Sequence, residues 1–517
     1  MSIPAIDYAL VDALRTDFTA SEFTVDAVSD LLGEGAHAAL HREQRVPALI
    51  RAREVDSPLS TIVRLFVLHD DVSIAQVDKA LGHTTVAGLR RLGLIEGEDQ
   101  IRATVQIQPH EARFDDGVAR WWVASDLGEA LTGKPPAKDH VLGIGGATRT
   151  LLSLTPRTRV ASALDLGTGC GILALYLARH ADRVVATDLS PRACAFARFN
   201  AALNDVRVDV REGSLFAPIA DETFDLIVSN PPFVITPDAL RDGGLVTYRD
   251  GGRAGDALVR DVVHGAIAHV SPHGRAFLMG NWEVAEGEDW ASHPRAWLKG
   301  QPAHAWVIER ESLEPAEYIE MWMRDNAAST GSLDDTERDY RAWLTDFENR
   351  RVARIGLGMI ALQKLADPTR TLRNQRIPQG GNDHGNHPHQ RFSRITTTTS
   401  ATGEYMEKVM DDLAAHGWAV SEDDVCVRAA DVREERHYQP GEPDPQIIIA
   451  TQGDGFGQRL QLDTYAAAAL GACDGELTLG QIITAIAVIG DHDRDAVAQA
   501  VLARFPDLMS AGMVSRT

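Results

Sequence analysis

Ser162-Ala163-Leu164-Asp165-Leu166-Gly167-Thr168-Gly169-Cys170-Gly171 decides the fold. A short apolar run ends in an acid, three alternate glycines follow, and Ile172 to His180 then carries apolar residues at helical spacing. This is a strand, a tight turn and a helix. The glycines let the backbone turn sharply and approach a ligand, and the helix start offers free N–H groups. Glycine triads also serve dinucleotide sites, but there the spacing is G-x-G-x-x-G, whereas this one is D-x-G-x-G-x-G. Asp165 at the strand end suits a cationic amino-acid moiety and repels a pyrophosphate.

Outward from this turn, strands and helices alternate from Val160 to about Leu365, which predicts a largely parallel sheet covered on both faces. Arg183 to Asp188 is the second strand, and Asp188, followed by Leu189, closes it where a carboxylate accepts both hydroxyls of a ribose. Arg207 to Arg211 is the third, with Gly213-Ser214-Leu215 after it, placed to border a flat base. Phe224 to Ser229 is the fourth and Arg275 to Gly280 the fifth. Ala305 to Glu309 and Ile355 to Leu362 are the last two, separated by a long helical insertion over 314–351.

Asn230-Pro231-Pro232-Phe233 directly follows the fourth strand, where open parallel sheets place reactive groups. The pattern suits an amide or aromatic amine nitrogen, whose lone pair is delocalised. The Asn230 side-chain oxygen accepts one N–H and the Pro231 carbonyl the other, orienting the lone pair as planarity is lost. Pro231 and Pro232 stiffen the turn, so the acceptors need little reorganisation, and Phe233 offers a flat face. Two prolines after Asn also make an ordinary surface turn. The order Asp165, Asp188, Asn230 along the sheet tips the balance to chemistry.

At 517 residues the chain exceeds one core, and two to four domains are expected. Residues 1–110 read as helices ending in helix, turn, helix and a hairpin over 94–107, the winged-helix order. As a DNA reader the second helix is poor, with only Arg90 and Arg91 to meet phosphate or base. Residues 111–159 are a lead-in, with a short strand at Trp121 to Asp126 and a glycine-rich stretch, Asp139 to Thr148, that reads as a turn or a ligand-lining loop. Residues 160–365 are the sheet-bearing core. Residues 366–460 combine a loop-rich linker and an α/β segment, and 461–517 form a second winged-helix-like module. His384, His387 and His389 lie in the breaker-rich stretch 367–392 without Cys or acidic ligands at fixed spacing, so no metal is expected. The cysteines are scattered, no apolar run reaches membrane length, and the first residues lack a basic-then-apolar leader; a cytoplasmic protein is expected. The net charge of -23 disfavours a polyanionic partner without excluding one. Nothing here sets the oligomeric state.

These motifs resemble the small-domain class I methyltransferases, which include the HemK/PrmC glutamine methyltransferases and the RsmC-like guanine methyltransferases. The resemblance covers about Asp139 to Leu365 and implies a Rossmann-like seven-stranded core between the two terminal modules. It implies that Asp165, Gly167, Thr168, Gly169, Gly171, Asp188, Leu189, Ser214, Leu215 and Asn230 bind S-adenosylmethionine, and that Asn230, Pro231, Pro232 and Phe233 hold the target nitrogen. Arg249 to Asp256 is similar to the glycine-rich segment that follows the Asn-Pro-Pro motif in the glutamine enzymes. Phe233 departs from the Tyr usual there and matches the guanine enzymes. N-methylation of a protein or peptide, glutamine-amide type, is the favoured expectation. The alternatives are an exocyclic amine of guanine or adenine in RNA or DNA, an amine of a ribosomal peptide or small natural product, and a non-catalytic S-adenosylmethionine-binding DNA regulator.

Overall fold

Along each strand of the core, successive side chains enter opposite apolar clusters, the period-two signature of a sheet buried on both faces. Ala163, Val184, Val228, Phe277, Trp306 and Ala361 face one cluster. Leu164, Val185, Ile227, Leu278, Val307 and Ile360 face the other. The structure, a computed structural model, describes residues 3–241, 252–324, 333–366, 388–395, 401–416, 420–453 and 455–517.

The core strands are β1 (Val160–Leu166), β2 (Ala181–Asp188), β3 (Asp209–Glu212), β4 (Phe224–Ser229), β5 (Val270–Ala285), β6 (Ala303–Leu313), β7 (Val352–Lys364) and β8 (Gln390–Arg394). They lie in the order β3-β2-β1-β4-β5-β7-β6-β8. β7 runs antiparallel to both neighbours and all other pairs are parallel. The seven expected strands are present, and the sheet gains an eighth where a loop was expected: Gln390–Arg394 pairs along Ala305–Glu309. Phe392 is its one apolar residue, too little for an alternating pattern, so the free edge of β6 does most to specify it.

Strand order reverses between β1 and β4, creating the crevice where open α/β sheets bind ligands. The helices that matter for that crevice are α1 (Gly146–Leu154), α2 (Ile172–Leu177), α3 (Pro191–Leu203) and α4 (Ala257–His269). The insertion between β6 and β7 forms α5 (Pro315–Arg324) and α6 (Leu333–Asn349).

The N-terminal helices begin with Tyr8–Ala20 and Val25–Leu32. Helices Ile74–Ala80 and Thr85–Arg91 follow, beside a small sheet of Val72-Ser73, Gln100–Ala103 and Ile95-Glu96. A second hairpin pairs Gln106–Phe114 with Gly117–Ser125, so the expected division at 110/111 falls inside a strand. The pairing of this hairpin continues through Pro109, which reads locally as a breaker. In the C-terminal part, helices Thr464–Ala472, Leu479–Gly490 and Arg494–Ser510 share a separate apolar cluster with strands Val425–Arg428 and Val514–Arg516. Asp474 begins a strand that runs to Thr478. His384 and His387 lie outside the described residues, and His389 stacks on His304 with ring centroids 5.2 Å apart. Among the described residues no helix is long and apolar enough to cross a membrane.

Candidate active site

The ends of β1, β2 and β4 converge on a cavity of about 240 Å³. Gly167, Thr168 and Gly169 line it, together with Asp188 and Leu189, Ser214 and Leu215, and Asn230, Pro231 and Pro232. Ten of the residues singled out from sequence are thereby brought together. Gly167 and Gly169 hold φ of 75° and 54°, and a Cβ on either would project into open space. The turn thus bares its backbone to whatever occupies the cavity.

Three expected residues do not line it. Asp165 is fully buried beneath the turn, where its Oδ2 accepts the Thr168 hydroxyl at 2.6 Å and the Ala174 N–H at 3.0 Å. It braces the loop and the start of α2. Burial pushes its carboxyl up to about 7, against the pull of those two hydrogen bonds. Gly171, at φ 86°, serves close packing, because a Cβ there would sit 3.0 Å from the Ala197 Cα on α3. Phe233 packs between the two sheet clusters, so it supports the Asn230 turn from behind.

Asp188 lines the cavity with its Oδ2 accepting the Gly169 N–H at 2.9 Å and its Oδ1 accepting the Ser190 N–H at 2.8 Å. The carboxylate keeps lone-pair capacity for a hydroxyl donor. Burial raises its pKa, and the N–H groups of Ser190, Gly169 and Leu189 oppose that shift. Leu142 and Leu189, 47% and 60% exposed, present bare apolar surface at the cavity, as a wall for a flat ring would.

Asn230 is held by its amide nitrogen. Nδ2 donates to the Thr148 hydroxyl at 3.1 Å, while Oδ1 is buried with no hydrogen-bond partner. A buried amide oxygen left unpaired costs about 1–3 kcal/mol, so it marks a place where a donor belongs. Thr148 comes from α1, and the preceding residues Asp139 to Gly143 also line the cavity. Asp126 fixes this segment: its Oδ2 accepts the Val141 N–H and the Arg192 Nε, both at 2.8 Å. The glycine-rich spacing of 139–148 pointed to a ligand-lining loop, but not to Thr148 as the anchor. Arg253 and Leu258 complete the wall. Arg249 to Gly251 of the glycine-rich segment lie outside the described residues, and Arg253 pairs with Asp261.

Residues 143–242 match the methyltransferase small domain, and residues 20–106 match a domain of unknown function, DUF7059. A release factor glutamine methyltransferase of Geobacter sulfurreducens is 41% identical over 25% of this chain and 47% of its own length. One from Deinococcus radiodurans is 43% identical over 22% and 44%. A ribosomal protein uL3 glutamine methyltransferase of Bradyrhizobium diazoefficiens is 34% identical over 29% and 50%. The chain therefore spans about half the length of the curated relatives it matches. A T. Thermophilus 16S rRNA methyltransferase (RsmC), solved with AdoMet and guanosine, aligns over 45% of this chain and 59% of its own, at 18% identity and a TM-score of 0.26. The fold rests instead on the strand order itself. Residues 143–242, which carry the turn at Gly167 and the turn at Asn230, belong to the methyltransferase small-domain family and sit on a Rossmann-like class I core.

Proposed function

We propose that this chain is an S-adenosylmethionine-dependent N-methyltransferase whose acceptor is a side-chain amide nitrogen of a polypeptide, of the glutamine type. The observation that carries the reading is the unpaired, buried Asn230 Oδ1 at a cavity that also holds the Gly167 turn and Asp188. The donor set fits the cofactor: a bared glycine turn, a carboxylate at the end of β2 and an exposed apolar wall at Leu189. When bound, S-adenosylmethionine supplies a methyl group on a positively charged sulfur. Asp188 would hold ribose hydroxyls, Gly167 to Gly169 the amino-acid portion, and Leu189 and Leu215 the base.

Asn230 acts on the acceptor. Its Oδ1 takes one N–H of a planar nitrogen and the Pro231 carbonyl takes the second, turning the lone pair toward the methyl-bearing side of the cavity. The Thr148 hydroxyl holds the amide by its nitrogen, which leaves the oxygen for the substrate. No strong base is required, because the nitrogen becomes acidic only as the new bond forms.

Two observations support a polypeptide over a polynucleotide. Among the described residues, the charged groups lining the cavity are Asp139, Asp188 and Arg253, and Arg253 is paired with Asp261. A phosphate backbone would need a basic rim. Arg90 and Arg91, the cations of the second N-terminal helix, are also engaged internally, donating to the Gly97 carbonyl and to Asp7. The relatives' names, release factor and ribosomal protein glutamine methyltransferases, point the same way.

The test is to incubate extract from a deletion strain with enzyme and tritiated S-adenosylmethionine. Label should enter protein and map to a glutamine. Label confined to RNA would overturn the acceptor class. Asn230→Ala should abolish transfer while calorimetric cofactor affinity stays within about threefold. Undiminished turnover by that variant would remove Asn230 from the chemistry.

A further inference from the structure

None of the described residues of α5 and α6 lines the cavity, yet the insertion buries its apolar face against the chain that leaves the Asn230 turn. Val234 and Ile235 pack with Tyr318, Ile319, Trp343 and Phe347 in a cluster apart from the two that flank the sheet. At its centre Tyr318 is fully buried. Its hydroxyl accepts the Ile235 N–H at 3.0 Å and the Asn281 Nδ2 at 3.0 Å.

Both donors matter for the acceptor wall. Ile235 lies five residues past Asn230, beyond the end of β4, where the sheet no longer supplies a partner for its N–H. Asn281 is 1% exposed and sits on β5 three residues past Leu278, which pairs with Ser229, the residue before Asn230. One hydroxyl therefore ties the outgoing limb of the Asn-Pro-Pro-Phe turn to the strand beside its incoming limb. The far end of the insertion repeats the attachment. Arg350, just after α6, pairs with Glu283 on β5, and the Glu283 N–H is accepted by Asp256, three residues from the cavity residue Arg253.

We propose that the α5–α6 insertion clamps the acceptor turn, with the Tyr318 hydroxyl as the positioning group that fixes where Asn230 presents its oxygen. This rests on the methyl-transfer reading above. Tyr318 does not touch the cavity; it acts through Ile235 and the rigid turn before it. Misplacement of a reacting group by about 1 Å can cost about a hundredfold in rate, so loosening a turn without unfolding it should be visible in turnover.

Tyr318→Phe keeps the ring and its packing and deletes only the hydroxyl. Two readouts are needed, one independent of catalysis. Hydrogen–deuterium exchange of the segment 230–236 should quicken by about tenfold, and transfer of tritiated methyl to deletion-strain protein extract should fall about tenfold in kcat. Calorimetric affinity for S-adenosylmethionine should stay within about twofold, which a general loosening of the fold would not allow. Unchanged exchange at 230–236 overturns the pin. Faster exchange with unchanged kcat overturns its role in positioning. Should Tyr318→Phe fail to fold, Asn281→Ala removes one of the two donors, and the same readouts should move about threefold; no movement in either sinks the proposal. A wild-type protein that transfers no methyl group overturns the functional reading, and with it the catalytic half of the clamp, while exchange still decides the pin.

Discussion

Two buried oxygens at the switch point, Asp165 Oδ1 and Asn230 Oδ1, lack partners for different reasons. Asn230 faces a cavity, whereas Asp165 is sealed under its own loop, doing its bracing through Oδ2. The seal has a pH consequence. The folded carboxyl sits at about 7 against an ordinary 3.8, so the native state keeps a proton that the unfolded chain has released across that interval. Stability from this group is therefore greatest below the unfolded value and declines as pH climbs toward 7. Asp165→Asn keeps an acceptor for Thr168 and Ala174 and cannot ionise. It should raise the melting temperature by roughly 2–4 °C at pH 8 and by about a third of that at pH 5. Equal shifts at both pH values would mean that the carboxyl is not sealed as described. The spacing of Asp165 to Gly171 and of Asn230 to Phe233 was legible as a paired site. Which face of the turn Asp165 occupies was not, because that depends on donors three and nine residues downstream that close over it only once α2 is formed. Phe233 lies off the cavity lining for a similar reason: its ring packs against two apolar clusters that exist only after the sheet is assembled.

Among the elements, α3 does more than cover the sheet. Asn200 and Asn204 lie one turn apart on or just past it and treat the hairpin strand Gly117–Ser125 as a neighbouring strand would. Asn204 accepts the Trp122 N–H and donates to the Trp122 carbonyl, both at 2.8 Å. Asn200 does the same for Ala124 at 2.8 Å, and also donates to the Cys170 carbonyl in the glycine turn at 2.7 Å. Arg192 adds a buried ion pair to Asp126 at 2.5 Å. Asn200→Ala would strand a buried N–H and two carbonyls, for a loss of about 2–4 kcal/mol. Because one of those carbonyls belongs to the cofactor turn, calorimetric affinity for S-adenosylmethionine should drop with it. A destabilised variant with unaltered affinity would show that Cys170 does not depend on this link. Elements with their own apolar period, β1, β4, β5 and the helices after them, could be read directly. The hairpin through 110 and the eighth strand could not, since the one is held along Trp122 and Ala124 by side chains of α3 and the other pairs with the edge of β6.

At the scale of the molecule, the apolar core does not respect the boundaries that composition suggests. One continuous cluster runs from Val11 and Phe18 of the first helix through Trp121 of the hairpin to Phe196 of α3 and Phe277 of β5. Phe18 and Trp122 bring their rings within 5.4 Å at the junction. The helices Thr464–Ala472, Leu479–Gly490 and Arg494–Ser510 keep a cluster of their own. Elements that share a core open together, so the N-terminal helices and the sheet should unfold as one cooperative unit and the C-terminal helices as another. A ligand of the switch-point cavity stabilises whatever unfolds with that cavity, by about 2.7 kcal/mol at a hundredfold excess over Kd. Saturating S-adenosylmethionine should accordingly slow global hydrogen exchange in Tyr8–Ala20 as much as in β1 and β4, while leaving Leu479–Gly490 unaffected. A first helix that exchanges at its own rate, indifferent to the cofactor, would make the N-terminal part an appended module whose removal the enzyme tolerates. Exchange that tracks the sheet would make it part of the catalytic body, and truncation at 110 would then cut through both a strand and the core that holds the cofactor turn in place.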